Sequence, residues 1–129
     1  MPSKTAAQMV AEAKGRIQNL SPQEVQDEVS HGGVTLVDIR EPEERARTGS
    51  IPDAINAPRG MLEFYADPST PYHREEFDPE QRIILYCASG GRSALAADML
   101  QQMGYSNVAH LDGGLNAWKE SNLPIADGE

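Results

Sequence analysis

The chain holds one cysteine, Cys87, and the place it occupies constrains the fold more than any other residue. Cys87 ends the apolar run Ile83-Ile84-Leu85-Tyr86 and opens the loop Ala88-Ser89-Gly90-Gly91-Arg92-Ser93. The run reads as a buried strand. Ala94, Leu95, Ala96, Ala97, Met99 and Leu100, beyond the loop, read as a helix. A strand that hands over to a helix through a Gly-rich loop is a unit of parallel α/β sheets, where ligands bind beyond the carboxyl ends of strands. At such a junction a thiolate accepts backbone N–H groups and the positive end of the helix dipole, which favours it as a nucleophile.

The rest of the chain repeats the strand-and-helix alternation. Ala6, Met9, Val10, Ala13 and Ile17 predict an amphipathic helix over residues 5–18. Ser21-Pro22-Gln23-Glu24 is a capping box whose helix should run to about His31 and stop at Gly32-Gly33. Residues 34–38 read as a strand and residues 43–47 as a short helix. Residues 51–56 hold a turn and a short strand, and residues 60–65 a further helical turn. Pro68, Pro71 and Pro79 mark residues 66–82 as an irregular surface loop. Residues 107–111 predict another strand, Gly113-Gly114 a tight turn, and residues 115–121 a last helix. The expected fold is α/β, a small parallel sheet with helices on both faces. An extra N-terminal helical extension is expected over residues 1–20, with the main domain over residues 21–129.

A length of 129 residues fits one domain, large enough to fold without a disulfide or a metal. One cysteine excludes an internal disulfide and any multi-cysteine cage, and a reactive free thiol suits a reducing compartment. The opening residues lack a signal-peptide core and no apolar run is long enough to span a bilayer, so a cytoplasmic location is expected. The net charge of −9 argues against nucleic acid and anionic membranes as partners. His31, His73 and His110 have no metal-like spacing and read as structural, so neither metal nor cofactor is expected. Trp118 reads as a core aromatic.

Cys87 to Arg92 forms a Cys-x4-Arg loop. A loop whose successive N–H groups face inward is an anion nest, and Arg92 adds a fixed charge with a planar donor fork. Cys87 is the candidate nucleophile, and Ala88, Ser89, Gly90, Gly91, Arg92 and Ser93 are the candidate anion-binding residues. Local cations of this kind serve an anionic substrate despite the acidic background, which salt screens beyond roughly 8–10 Å. Asp38 and Arg40 end a strand on the same sheet edge and predict an ion pair beside the pocket, read as a brace for the strand-to-helix turn. Arg59, after Pro58, is a further candidate for reaching the pocket.

Three blocks resemble the rhodanese, or sulfurtransferase, family in a single-domain form. They are Val37-Asp38-Ile39-Arg40-Glu41-Pro42-Glu43-Glu44 continuing to Gly49-Ser50-Ile51-Pro52-Asp53-Ala54-Ile55-Asn56, then residues 85–93 around Cys87, then Val108-Ala109-His110-Leu111-Asp112-Gly113-Gly114-Leu115-Asn116-Ala117-Trp118. Ser50 stands where the family often has His. The resemblance implies a rhodanese-like fold and a cysteine that becomes a persulfide. Its donor would be a small sulfur anion such as thiosulfate, and its acceptor cyanide, a thiol or sulfite. A persulfide carrier or binding module serving a protein acceptor is the alternative. Phosphatases and arsenate reductases on similar folds use a Cys-x5-Arg loop, one residue longer than this one.

Overall fold

The computed structural model describes residues 2–127. Five strands form one sheet: β1 (Gln18–Leu20), β2 (Val34–Asp38), β3 (Ile55–Asn56), β4 (Arg82–Tyr86) and β5 (Val108–Leu111). All pairings are parallel, in the order β1-β5-β4-β2-β3. Six helices surround them: α1 (Ala6–Lys14), α2 (Pro22–His31), α3 (Pro42–Thr48), α4 (Leu62–Tyr65), α5 (Gly91–Gln102) and α6 (Gly114–Glu120). Among the described residues no helix is long and apolar enough to cross a membrane.

β4 is the central strand, and Ile83, Ile84, Leu85 and Tyr86 are all fully buried. Its side chains alternate between two cores, as strand geometry requires. Ile83, Leu85 and Cys87 join Val37, Leu62, Ala96, Leu100 and Val108 on the α4/α5 face. Ile84 and Tyr86 join Val25, Leu36, Ala109, Leu111, Leu115 and Trp118 on the α2/α6 face. From β4 the chain crosses through α5 to β5 on one side, whereas β2 crosses through α3 to β3 on the other. The direction of winding therefore reverses between β4 and β2, and the crevice at their carboxyl ends is where such sheets take ligands. Asp38 and Tyr86 end those two strands as register partners, and Cys87 follows immediately.

The capping box at Ser21 forms as expected: Ser21 Oγ accepts from the Glu24 amide at 3.2 Å and Glu24 Oε1 from the Ser21 amide at 2.8 Å. The beginning of the chain departs from expectation. α1 stops at Lys14 rather than at residue 18, because Gly15 caps the helix although the apolar spacing runs on to Ile17. Residues 18–20 then pair with β5 as an edge strand. α1 packs along α5, so the extra N-terminal helix lies on the helix that follows Cys87.

Candidate active site

Cys87 is buried, 1 % exposed, at the point where β4 turns into α5. Its Sγ accepts the Gly90 amide at 3.2 Å and the Ser93 amide at 3.4 Å, and stands 3.6 Å from Ser93 Oγ. The loop therefore curls around the sulfur. Its inward N–H groups and the start of the twelve-residue α5 stabilise negative charge there. Gly90 makes the curl with φ +102°, a left-handed conformation that favours glycine.

The loop is also held from outside. The carbonyls of Cys87 and Ala88 accept the Leu115 and Asn116 amides at 2.9 and 3.0 Å, so α6 takes up the outward acceptors while the donors face Sγ. Gly114 (φ +63°) lies against this backbone, and a Cβ there would come within 2.5 Å of the Ala88 carbonyl. The Gly113-Gly114 turn thus supports the cysteine loop, a duty that sequence reading had not given it. Gly114→Ala should force a Cβ into the Ala88 carbonyl, strain the turn and lower Tm by several degrees. An unchanged Tm would show that the loop does not rest on this turn.

Arg92 stands at the loop rim, but its fork is occupied. Nη1 and Nη2 donate to the two carboxylate oxygens of Glu44 at 2.8 and 3.0 Å. Arg92 holds the Glu44 carboxyl down to about 2, and Glu44 in turn raises the Arg92 pKa, with a lesser contribution from the Cys87 sulfur. Glu44, on α3, is a site residue that the sequence reading missed.

Asp38 and Arg40 form the expected ion pair, and both are buried. Asp38 accepts from Arg40 Nε at 3.0 Å and Nη2 at 2.8 Å, from the Arg40 amide at 2.9 Å and from the Tyr86 hydroxyl at 3.0 Å. The remaining Arg40 donors reach Thr48 Oγ1 and the Gly49 carbonyl at 2.8 and 2.7 Å. This network ties the end of β2 to the carboxyl end of α3, which carries Glu44. Arg59 bonds Glu63 at 2.8 Å on its own helical turn and has no hydrogen bond to the cysteine loop. Ser50 pairs with Ala126 through its backbone and accepts from Arg45, both structural contacts. Ser89 is exposed on the loop.

His110 was expected to be structural, yet its Nδ1 lies 2.8 Å from Ser93 Oγ and its Nε2 2.8 Å from Asn19 Oδ1. The signal was present in the sequence: in an otherwise apolar strand, His110 falls two residues after Val108 and so faces α5. Burial, the largest cause, lowers its pKa to about 4 from 6.5. The unfolded chain therefore binds more protons between these values. The stability that neutral His110 contributes is complete above about pH 6.5 and is lost as pH falls towards 4. Tm should drop by several degrees between pH 7 and pH 5, before Glu44 titrates. A flat Tm over that interval would contradict a buried neutral imidazole.

The rhodanese-like domain family matches residues 21–121. A sulfurtransferase from Allochromatium vinosum is 40 % identical over 92 residues, covering 71 % of this chain and 78 % of its own. A thiosulfate:glutathione sulfurtransferase from Saccharomyces cerevisiae is 34 % identical over 90 residues, covering 66 % of this chain and 64 % of its own. A solved protein of unknown function from Rhodopseudomonas palustris, described as a possible tyrosine phosphatase, superposes with a TM-score of 0.91 at 38 % identity, over 97 % of this chain and 96 % of its own. The fold, the matched span and these relatives agree, and the chain belongs to the rhodanese-like domain family, among whose members are sulfurtransferases.

Proposed function

We propose that the protein is a sulfurtransferase that carries sulfane sulfur as a Cys87 persulfide. The observation that carries this reading is the loop closed directly on Sγ, with two backbone N–H groups within 3.4 Å of the sulfur. A four-residue spacing to Arg92 centres the nest on sulfur, which suits a persulfide better than a phosphoryl group with its ring of oxygens. In the first half-reaction the Cys87 thiolate attacks the outer sulfur of thiosulfate or a similar anion. A new S–S bond forms, the donor S–S bond breaks, and sulfite leaves with the electron pair. In the second, cyanide or a thiol such as glutathione attacks the outer sulfur and Cys87 departs as thiolate. The loop amides and the α5 dipole stabilise both anions. A free thiol of this kind suits a reducing, cytoplasmic setting.

Arg92 takes the donor anion by releasing Glu44. The pair is partly exposed, with 42 % and 23 % of the two side chains accessible. Such a pair contributes about 0–1 kcal/mol, so an incoming dianion displaces it at little cost. Glu44→Gln should therefore lower the thiosulfate KM up to about fivefold. Arg92→Ala should raise it with little change in Tm. An unchanged KM in both variants would remove Arg92 from donor binding.

The test is steady-state thiocyanate formation from thiosulfate and cyanide. Parallel double-reciprocal lines, the mark of a covalent intermediate released between substrates, are expected. Hydrolysis of an aryl phosphate in the absence of any thiocyanate would favour a phosphatase instead.

A further inference from the structure

Cys87, Ser93, His110 and Asn19 form one continuous chain of contacts from the reactive sulfur towards the protein surface. The steps are 3.6 Å from Sγ to Ser93 Oγ, 2.8 Å from Oγ to His110 Nδ1, and 2.8 Å from His110 Nε2 to Asn19 Oδ1. Its direction follows from Asn19. The Asn19 amide nitrogen donates to the carbonyls of Lys14 and Ile17 at 3.0 and 3.3 Å, so Oδ1 is the atom that faces the imidazole. Nε2 must then carry the ring proton and donate it. Nδ1 is left as an acceptor, and the Ser93 hydroxyl donates to it at 2.8 Å rather than to the Gly90 carbonyl, which stands farther off at 3.4 Å, so the Ser93 oxygen turns a lone pair towards Cys87. Cys87, Ser93 and His110 are all buried.

The geometry points to a buried proton relay in which Ser93 passes the Cys87 thiol proton to His110, with Asn19 fixing the tautomer that makes His110 the acceptor. In one concerted step the Cys87 S–H bond breaks and an O–H bond forms on Ser93. At the same time the original Ser93 O–H bond breaks and an N–H bond forms on His110 Nδ1. The products are a thiolate, towards which the new Ser93 O–H can turn, and an imidazolium bonded to Ser93 and Asn19. No oxidation state changes. When Cys87 leaves as thiolate at the end of the cycle, the same path returns the proton. The proton is thus kept within the protein while the thiolate acts.

The charged groups that face His110 are Lys14 of α1 and Asp112, just beyond β5, with the Cys87 sulfur across Ser93. Lys14 and Asp112 are paired with each other at 2.9 Å, which leaves the thiolate as the anion that selects the imidazolium. Burial keeps the imidazole neutral at neutral pH, so Nδ1 is free to accept, but it also weakens the base, so the imidazolium forms only as the partner of the Cys87 thiolate. His110 acts on sulfur only through Ser93, so both are positioning residues for Cys87. Their purpose rests on the sulfur-transfer reading, whereas the test needs no sulfur donor.

The test is the rate of Cys87 alkylation by iodoacetamide as a function of pH, followed by intact mass in the wild type, Ser93→Ala and His110→Leu. A relay makes the thiolate–imidazolium pair from the thiol without releasing a proton, so the wild-type rate levels to a plateau below neutral pH. Both variants should lose the plateau, fall about tenfold per pH unit, and meet the wild-type rate in alkali. Ser93→Ala alone decides the matter if His110→Leu does not fold. A wild-type profile with no plateau, a plateau retained in Ser93→Ala, or a defect of equal size at every pH overturns the relay. Alkylation that follows the relay pattern alongside absent sulfur transfer would instead overturn the donor chemistry and leave the relay standing.

Discussion

Cys87→Ser should lose thiocyanate formation by at least about three orders of magnitude while keeping its fold. The substitution exchanges one buried atom, and the amides of Gly90 and Ser93 that now face sulfur would face oxygen at similar distances. The serine hydroxyl is un-ionised near neutrality, so the loop dipoles have no anion to stabilise. It also cannot hold a transferable sulfur as a disulfide-type bond. Tm within a few degrees of wild type, measured together with the activity, separates loss of chemistry from loss of structure. Retention of wild-type turnover would place the nucleophile elsewhere, and the chain has no second cysteine to supply it.

Arg40→Ala should destabilise the protein by up to about 3–5 kcal/mol, the cost of removing one partner of a buried ion pair. Asp38 would keep the Arg40 amide, the Tyr86 hydroxyl and a longer salt bridge to the partly exposed Arg45 at 3.6 Å, but would lose the bonds from Arg40 Nε and Nη2. Thr48 Oγ1 and the Gly49 carbonyl would lose their guanidinium donor as well. Domains of this kind have net stabilities of about 5–15 kcal/mol, so the loss is a large share of the total. Replacing both partners, as in Asp38→Asn with Arg40→Met, should cost less than Arg40→Ala alone, because no buried charge is left unpaired. Urea unfolding of the three variants measures this. A cost below about 1 kcal/mol for Arg40→Ala would mean that the pair behaves as a solvated surface contact.

The parts of the fold that were legible in the sequence share a physical reason. β4 is a continuous apolar run because it is covered on both faces, and α2 announces itself through a complete capping box. β1 was hidden because three residues with a single buried member, Leu20, show no alternation. The loop around Cys87 was legible because strand, glycines, arginine and helix lie within eleven consecutive residues. The residues that hold or modulate the site were not, since they arrive from distant elements. Glu44 meets Arg92 across 48 positions, and Asn19 meets His110 across 91. Both are ordinary polar residues whose meaning is set only by what the sheet order places beside them. Gly113-Gly114 was visible as a turn, but its contact with the Ala88 carbonyl depends on β4 and β5 being neighbours.

The central claim is that Cys87 accepts a sulfur atom, and intact mass spectrometry tests it most directly. The reduced protein is incubated with thiosulfate beside Cys87→Ser. The expected result is a gain of one sulfur, roughly 32 Da, that cyanide removes and the serine variant never acquires. A wild-type mass that does not change with thiosulfate, glutathione persulfide or polysulfide would contradict the persulfide account.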